Sequence, residues 1–231
     1  MLDIIVVRHG ESVRNHAALL AHQGDIEPLK TQLAEDSYEP GWPLTEYGRE
    51  QAKATGAWIR NEFDNGPTIG YASPYYRTLQ TAKGLGLGLP FEQDWRLRER
   101  HWGDYSQLEE PYGVERYLAD LAHCGEPNWR SGLPGGESVM DLIPNVRSFV
   151  QDRLLGLVEA NVVLVTHGGT MRALQALLTG GSEIQPASTP NCSLLHLCLE
   201  TVHADGSATG ELKRECPWLP QTPHLKWQHF G

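Results

Sequence analysis

Short apolar runs rich in β-branched residues stand out along the chain. Residues 2–7 and 162–165 are the strongest of these, and residues 68–72 form a weaker one. Runs this short and continuous fit strands buried on both faces. The stretches between them have helical periodicity. Thr45 is placed to cap a helix over 46–63, with Ala52, Ala57, Trp58 and Ile59 among its apolar residues. Pro74 is suited to open a second helix through Tyr76, Leu79 and Gln80. Residues 114–124 and 138–159 suggest two more, with Pro144 expected in a first turn or at a kink. A further helix over 169–178 follows the strand that ends at His167. Later, 192–202 and 211–216 flank Ala204-Asp205-Gly206, a hairpin turn. Strand–helix alternation of this kind predicts an α/β three-layer sandwich, its central sheet mostly parallel and covered by helices on both faces.

Two regions lack a clear pattern. Residues 16–41 form a polar, acidic insertion with few apolar anchors, expected to be irregular and suited to a substrate-selecting lid or a surface excursion. Residues 217–231 hold three prolines, two tryptophans and two histidines, so this aromatic tail is expected to pack on the domain. The 231 residues are enough for a single domain with a large core.

Composition narrows the choice of partners. A formal charge of −10 disfavours a nucleic-acid or anionic-membrane surface, so an anionic substrate needs a local basic pocket. No basic, apolar leader and no apolar run of membrane-spanning length is evident. The four cysteines form no CxxC pair, and Cys192 and Cys198 are expected on one strand, too far apart to bridge. A cytoplasmic protein with reduced thiols is expected. An exposed strand edge at 192–202 is the surface through which a homodimer would pair.

Candidate chemistry gathers where strands end. Arg8-His9-Gly10-Glu11-Ser12 and Thr166-His167-Gly168-Gly169 each follow an apolar run, and Ser73-Pro74 with Arg77-Thr78 follows a third. Ligands of open α/β sheets bind at the carboxyl ends of strands, so one shared site is expected. Histidine can receive a phosphoryl group as nucleophile, and arginine's planar fork binds two phosphate oxygens at once. Nearby arginines also keep imidazole neutral, and a following glycine lets backbone approach a ligand closely.

Six segments in order carry a resemblance to the histidine phosphatase superfamily, which contains the cofactor-dependent phosphoglycerate mutases and many phosphatases. They are Arg8-His9-Gly10-Glu11-Ser12 with Asn15, Pro43-Leu44-Thr45-Glu46-Tyr47-Gly48, Ser73-Pro74 with Arg77-Thr78, Leu97-Arg98-Glu99 with Gly103, Gly135-Gly136-Glu137-Ser138, and Thr166-His167-Gly168. The resemblance spans about residues 3–200 and implies a phosphoglycerate mutase-like fold. It implies that His9 becomes phosphorylated, that Arg8, Arg77 and His167 hold the phosphoryl oxygens, and that Asn15 is a neutral donor. Glu99 would be the general acid for the leaving oxygen and then the base for water. Gly168 would serve backbone geometry with its amide toward phosphate, while Glu11 and Ser12 either contact substrate or cap the following turn. The remaining histidines show no metal-ligand spacing, so neither metal nor cofactor is expected.

Within that resemblance, Glu99-Arg100-His101-Trp102-Gly103 is similar to the mutase version of its block. The mutases continue with Gly-Leu-x-Lys, whereas here Tyr105-Ser106-Gln107-Leu108-Glu109-Glu110 follows, without the lysine. Residues 114–131 also lack paired arginines for a second phosphate; Arg116 and Arg130 stand apart. Hydrolysis of a small phosphorylated metabolite is therefore expected, with a phosphoglycerate mutase as the alternative and a non-catalytic phospho-ligand module behind both.

Overall fold

In the computed structural model, residues 1–35, 39–63, 66–102, 135–180 and 189–216 are described. β1 (Leu2–Arg8) leads into α1 (Val13–His22), α2 (Glu27–Glu35), α3 (Glu46–Glu62) and β2 (Ile69–Ala72). Then come α4 (Tyr76–Gly84), β3 (Phe91–Gln93), α5 (Val139–Arg153), β4 (Asn161–Thr166), α6 (Gly168–Thr179), β5 (Leu194–Val202) and β6 (Ala208–Cys216). The six strands form one sheet in the order β3-β2-β4-β1-β5-β6. β4 pairs in parallel with both β1 and β2, and β3 is parallel to β2; β5 runs antiparallel to both β1 and β6.

The alternation of side chains along β1 assigns the two faces. Ile4 and Val6 pack with Leu142, Val146 and Phe149 of α5 and Leu174 and Leu178 of α6. Ile5 and Val7 point the other way, onto Ile59 of α3 and Ala82 of α4. Helices therefore cover both faces of a mostly parallel sheet, giving the three layers that the sequence pattern predicts.

Most element ends agree with the sequence signals to within a few residues. Thr45 caps α3 by accepting the Gly48 N–H, and Ser138 forms a capping box with Asp141 at the start of α5. α5 stops at Arg153, short of residue 159. Pro144 lies inside α5, beyond its first turn, on an exposed face beside exposed Met140. The Met140 carbonyl that loses its i+4 donor there can bond water instead, which lowers the cost of an internal proline. The hairpin turn is present, with Gly206 at φ 77 and its N–H bonded to the His203 carbonyl.

Three expectations need correction. Much of 16–41 is helical: Ala17 and Ala21 of α1 and Leu29 of α2 are buried, so spaced single residues do the anchoring. The 192–202 segment is no free edge, because β5 lies between β1 and β6. Cys192 precedes β5 rather than sharing it with Cys198, and both are buried free thiols. The expected helix at 114–124 and the packing of the 217–231 tail fall outside the described residues. No helix among the described residues is long and apolar enough to cross a membrane.

Candidate active site

The sheet register assembles the site. Val7 of β1 pairs with Val165 of β4, and Val165 also pairs with Ala72 of β2, so three neighbouring strands end in step. The ladder extends slightly beyond them, with His9 N–H donating to the Thr166 carbonyl and Ser73 N–H to the Val165 carbonyl. His9, Ser73 and His167 therefore meet at the carboxyl edge of three strands far apart in sequence. Arg77, in the first turn of α4, is carried in beside them.

The hydrogen bonds of the two buried histidines fix their tautomers. His9 Nδ1 lies 2.7 Å from the Gly10 carbonyl, which only accepts, so Nδ1 carries the proton. His9 Nε2 then accepts from Arg77 Nε at 3.2 Å, and its lone pair is directed toward the guanidinium. Arg77 Nη2 lies 3.3 Å from His167 Nδ1, so that nitrogen accepts. His167 Nε2 consequently donates to Ser73 Oγ at 2.9 Å. The two ring centroids are 5.1 Å apart. Burial, reinforced by Arg77, holds the pKa of both histidines well below its ordinary value, with further contributions from Arg8 to both and from His9 to His167. Tyr75 closes one side, 4.9 Å from the His167 ring and 4.8 Å from the Arg77 guanidinium carbon.

Arg8 is half-buried, with its Nε out of solvent contact. Burial lowers its pKa to about 10, with Arg172 and Arg77 acting the same way and Glu99 opposing them. Its Nη1 donates to the Thr189 carbonyl, and its Nε has no partner among the described residues. A guanidinium with a buried, unmet N–H suits an incoming anion.

Glu99 is placed by backbone on both sides. Thr166 Oγ1 donates to the Leu97 carbonyl at 2.7 Å, and Thr170 Oγ1 donates to the Arg98 carbonyl. Arg98 grips Glu137 through two 2.6 Å bonds, and Glu137 also accepts the His101 N–H at 2.7 Å. The segments 97–99 and 135–138, separate in sequence, thus form one unit. The Glu99 carboxylate accepts from Arg100 N–H at 3.0 Å and Gly169 N–H at 3.4 Å, at the start of α6, where the helix dipole favours a negative group.

A Cβ on Gly10 would overlap the carbonyl oxygen of Gly48 in α3, so this glycine serves packing between backbones. A Cβ on Gly168 would meet Arg8 Nε at an ordinary 3.7 Å, whereas one on Gly169 would lie 2.5 Å from Glu99 Oε1. Gly169 is therefore the position where space is needed.

Glu11 and Ser12 make structural bonds. Ser12 is the buried N-cap of α1 and forms a capping box with Asn15. Glu11 accepts from Thr45 Oγ1 at 2.7 Å and lies 3.6 Å from His16 Nδ1, tying the loop after β1 to the start of α3. Asn15 Oδ1 is occupied by Ser12 and by Asn191 Nδ2 at 3.1 Å. Sequence reasoning gave no role to Ser73, Gly169 or Asn191. For Asn191 the available signal was its place just before a strand antiparallel to β1, which sets it against the end of β1.

The chain matches the histidine phosphatase superfamily (branch 1) over residues 4–207. It belongs to that superfamily. Among solved histidine phosphatase-fold structures, a mycobacterial glucosyl-3-phosphoglycerate phosphatase complexed with VO3 is 26% identical, with a TM-score of 0.66 over 91% of this chain and 96% of that one. A mycobacterial protein named hydrolase 1 is 26% identical with a TM-score of 0.65, covering 92% and 96% respectively. Among curated relatives, a 2,3-bisphosphoglycerate-dependent phosphoglycerate mutase of Bifidobacterium longum is 23% identical over 214 residues, 78% of each chain. A Cytophaga hutchinsonii protein of the same name is 26% identical over 178 residues, 74% of each chain. The superfamily thus has both phosphatases and mutases at similar distance from this chain.

Proposed function

We propose that this chain is a metal-independent phosphatase that hydrolyses a small phosphate monoester through a phosphohistidine on His9. The observation that carries this reading is the tautomer of His9: Nδ1 is tied to the Gly10 carbonyl, leaving Nε2 unprotonated beside Arg77. In the first step the Nε2 lone pair attacks phosphorus and the bond to the ester oxygen breaks. Arg8 and Arg77 stabilise the equatorial oxygens, with Asn15 Nδ2 as a further donor; His167 joins them by turning its Nε2–H from Ser73 Oγ to a phosphoryl oxygen. Glu99 passes a proton to the leaving oxygen. In the second step Glu99, now a carboxylate, takes a proton from water as that water attacks phosphorus. The Nε2–P bond breaks, and inorganic phosphate leaves.

The curated relatives named as mutases favour a second reading. Against it, residues 105–131 lack the lysine and the paired arginines that would retain a bisphosphorylated intermediate. A single phosphate pocket with hydrolytic release fits the cations available. The intact polar set disfavours a purely binding module, and the free thiols of Cys192 and Cys198 suit a cytoplasmic enzyme.

Turnover of p-nitrophenyl phosphate by wild type and His9→Ala, together with acid-labile phosphoprotein in each, tests the nucleophile. His9→Ala is expected to abolish both; unchanged hydrolysis would sink the assignment. Incubation with 3-phosphoglycerate and a bisphosphoglycerate primer is expected to give inorganic phosphate, while 2-phosphoglycerate would establish the mutase. Activity that survives a chelator is expected, and its complete loss would overturn the metal-free scheme.

A further inference from the structure

The segment before β5 embraces the end of β1. Because β5 runs antiparallel to β1, its first residues come to lie beside His9. Arg8 N–H donates to the Ser193 carbonyl, and Cys192 N–H is shared between the Arg8 and His9 carbonyls, each at 3.1 Å. The Thr189 carbonyl takes the Arg8 guanidinium. All of these contacts use the backbone of 189–193. Asn191 alone contributes a side chain: its Nδ2 donates to the His9 carbonyl and to Asn15 Oδ1, each at 3.1 Å.

We infer that Asn191 is a positioning residue that holds the His9 backbone and orients the Asn15 amide, so that Asn15 presents its NH2 to the phosphoryl group. The inference rests on the reading of His9 as nucleophile and deepens it. Three donors converge on Asn15 Oδ1: Ser12 N–H at 3.1 Å, Ser12 Oγ at 2.9 Å and Asn191 Nδ2. The Ser12 N–H cannot accept, so the atom facing it is oxygen and the opposite end of the amide is the donor. Asn191 reinforces that orientation while restraining the residue that attacks. Backbone conformation does not account for an asparagine here, because the left-handed position of this turn belongs to Cys192, at φ 59. Nor does the fold depend on it alone, since Cys192 N–H also bonds the His9 carbonyl.

The test compares Asn191→Ala, the near-isosteric Asn191→Asp, Asn15→Ala and the Asn15/Asn191 double alanine variant. Each is assayed for kcat and KM on p-nitrophenyl phosphate, for Tm, and for vanadate affinity by calorimetry. Asn191→Ala is expected to lower kcat about 10- to 100-fold, the usual cost of removing a partner that orients a reacting group, with Tm close to wild type. Asn191→Asp, whose carboxylate faces two carbonyl-type oxygens, is expected to lose more. The double variant is expected to lose less than the product of the two single losses, because the residues act in part through one amide. Unchanged kcat in Asn191→Ala, a loss that tracks Tm, or strictly multiplicative losses would each overturn the inference. Vanadate affinity separates this inference from the wider proposal. A wild type that binds vanadate without hydrolysing the ester refutes the phosphatase reading, while weaker vanadate binding by Asn191→Ala still supports the positioning role.

Discussion

Arg77 contacts both site histidines through different nitrogens, so one side chain orients the pair and adds to what keeps both neutral. Burial is the larger cause of the depressed histidine pKa values, and Arg77 comes next. The imidazoles stay neutral below their ordinary value of 6.5, and protonation of His9 begins only in more acid solution. Arg77→Met removes a positive neighbour, so the His9 titration midpoint is expected to rise toward 6.5, as read by histidine ring NMR against pH. A midpoint that stays put would leave the depression to burial and Arg8. Glycine gives a second prediction at this scale. Gly169→Ala, which puts a methyl against the Glu99 carboxylate, is expected to lower kcat by about 100-fold, within the range for general acid–base catalysis. Esters with poor leaving groups should suffer most, and Gly168→Ala, with ordinary contacts, is expected to lose less. The histidines and arginines were legible because each follows an apolar run at a strand end. Gly169's role was not, since it depends on where a carboxylate seventy residues away is folded.

Helix caps and strand ends follow local chemistry, and local chemistry can be read from sequence. Thr45 accepts an N–H where the sequence places a cap, α5 starts beside Ser138 as expected, and the three parallel strands β1, β2 and β4 lie within two residues of their apolar runs. α1 and α2 were less legible because, among their described side chains, only Arg14, Ala17, Ala21 and Leu29 of a polar stretch are buried. β3 was missed for a different reason: it is three residues long and takes its order from pairing with β2. Leu29 is fully buried in α2, so Leu29→Ala is expected to destabilise the fold by about 2–5 kcal/mol in denaturant titrations. A loss below ~0.5 kcal/mol, typical of surface substitutions, would mean that α2 contributes little packing.

Across the whole molecule, acid stability follows from groups that resist protonation when folded. The Arg98 bond is the largest cause of the lowered Glu137 pKa. Burial raises the pKa of Asp94 and Asp3, but hydrogen bonds from Arg96 to Asp94, and from Lys213 and His196 to Asp3, outweigh it. Each carboxylate contributes stability above its unfolded pKa and loses it as pH falls through the lower folded value. His9 and His167 act earlier, because the unfolded chain takes up their protons below pH 6.5 while the folded site resists them. Unfolding free energy is therefore expected to decline from about pH 6.5 downward, in two stages, when measured by urea titration across that range. Glu137→Gln should flatten the lower stage and leave the upper one. The strand order has a consequence for synthesis as well. β4 sits between β1 and β2, and a chain leaving the ribosome exposes His9 and Arg77 long before the strand that leads into His167 is made. The site cannot assemble until this late strand slots between two earlier ones, so on the proposed mechanism phosphohistidine is not expected before β4 is in place.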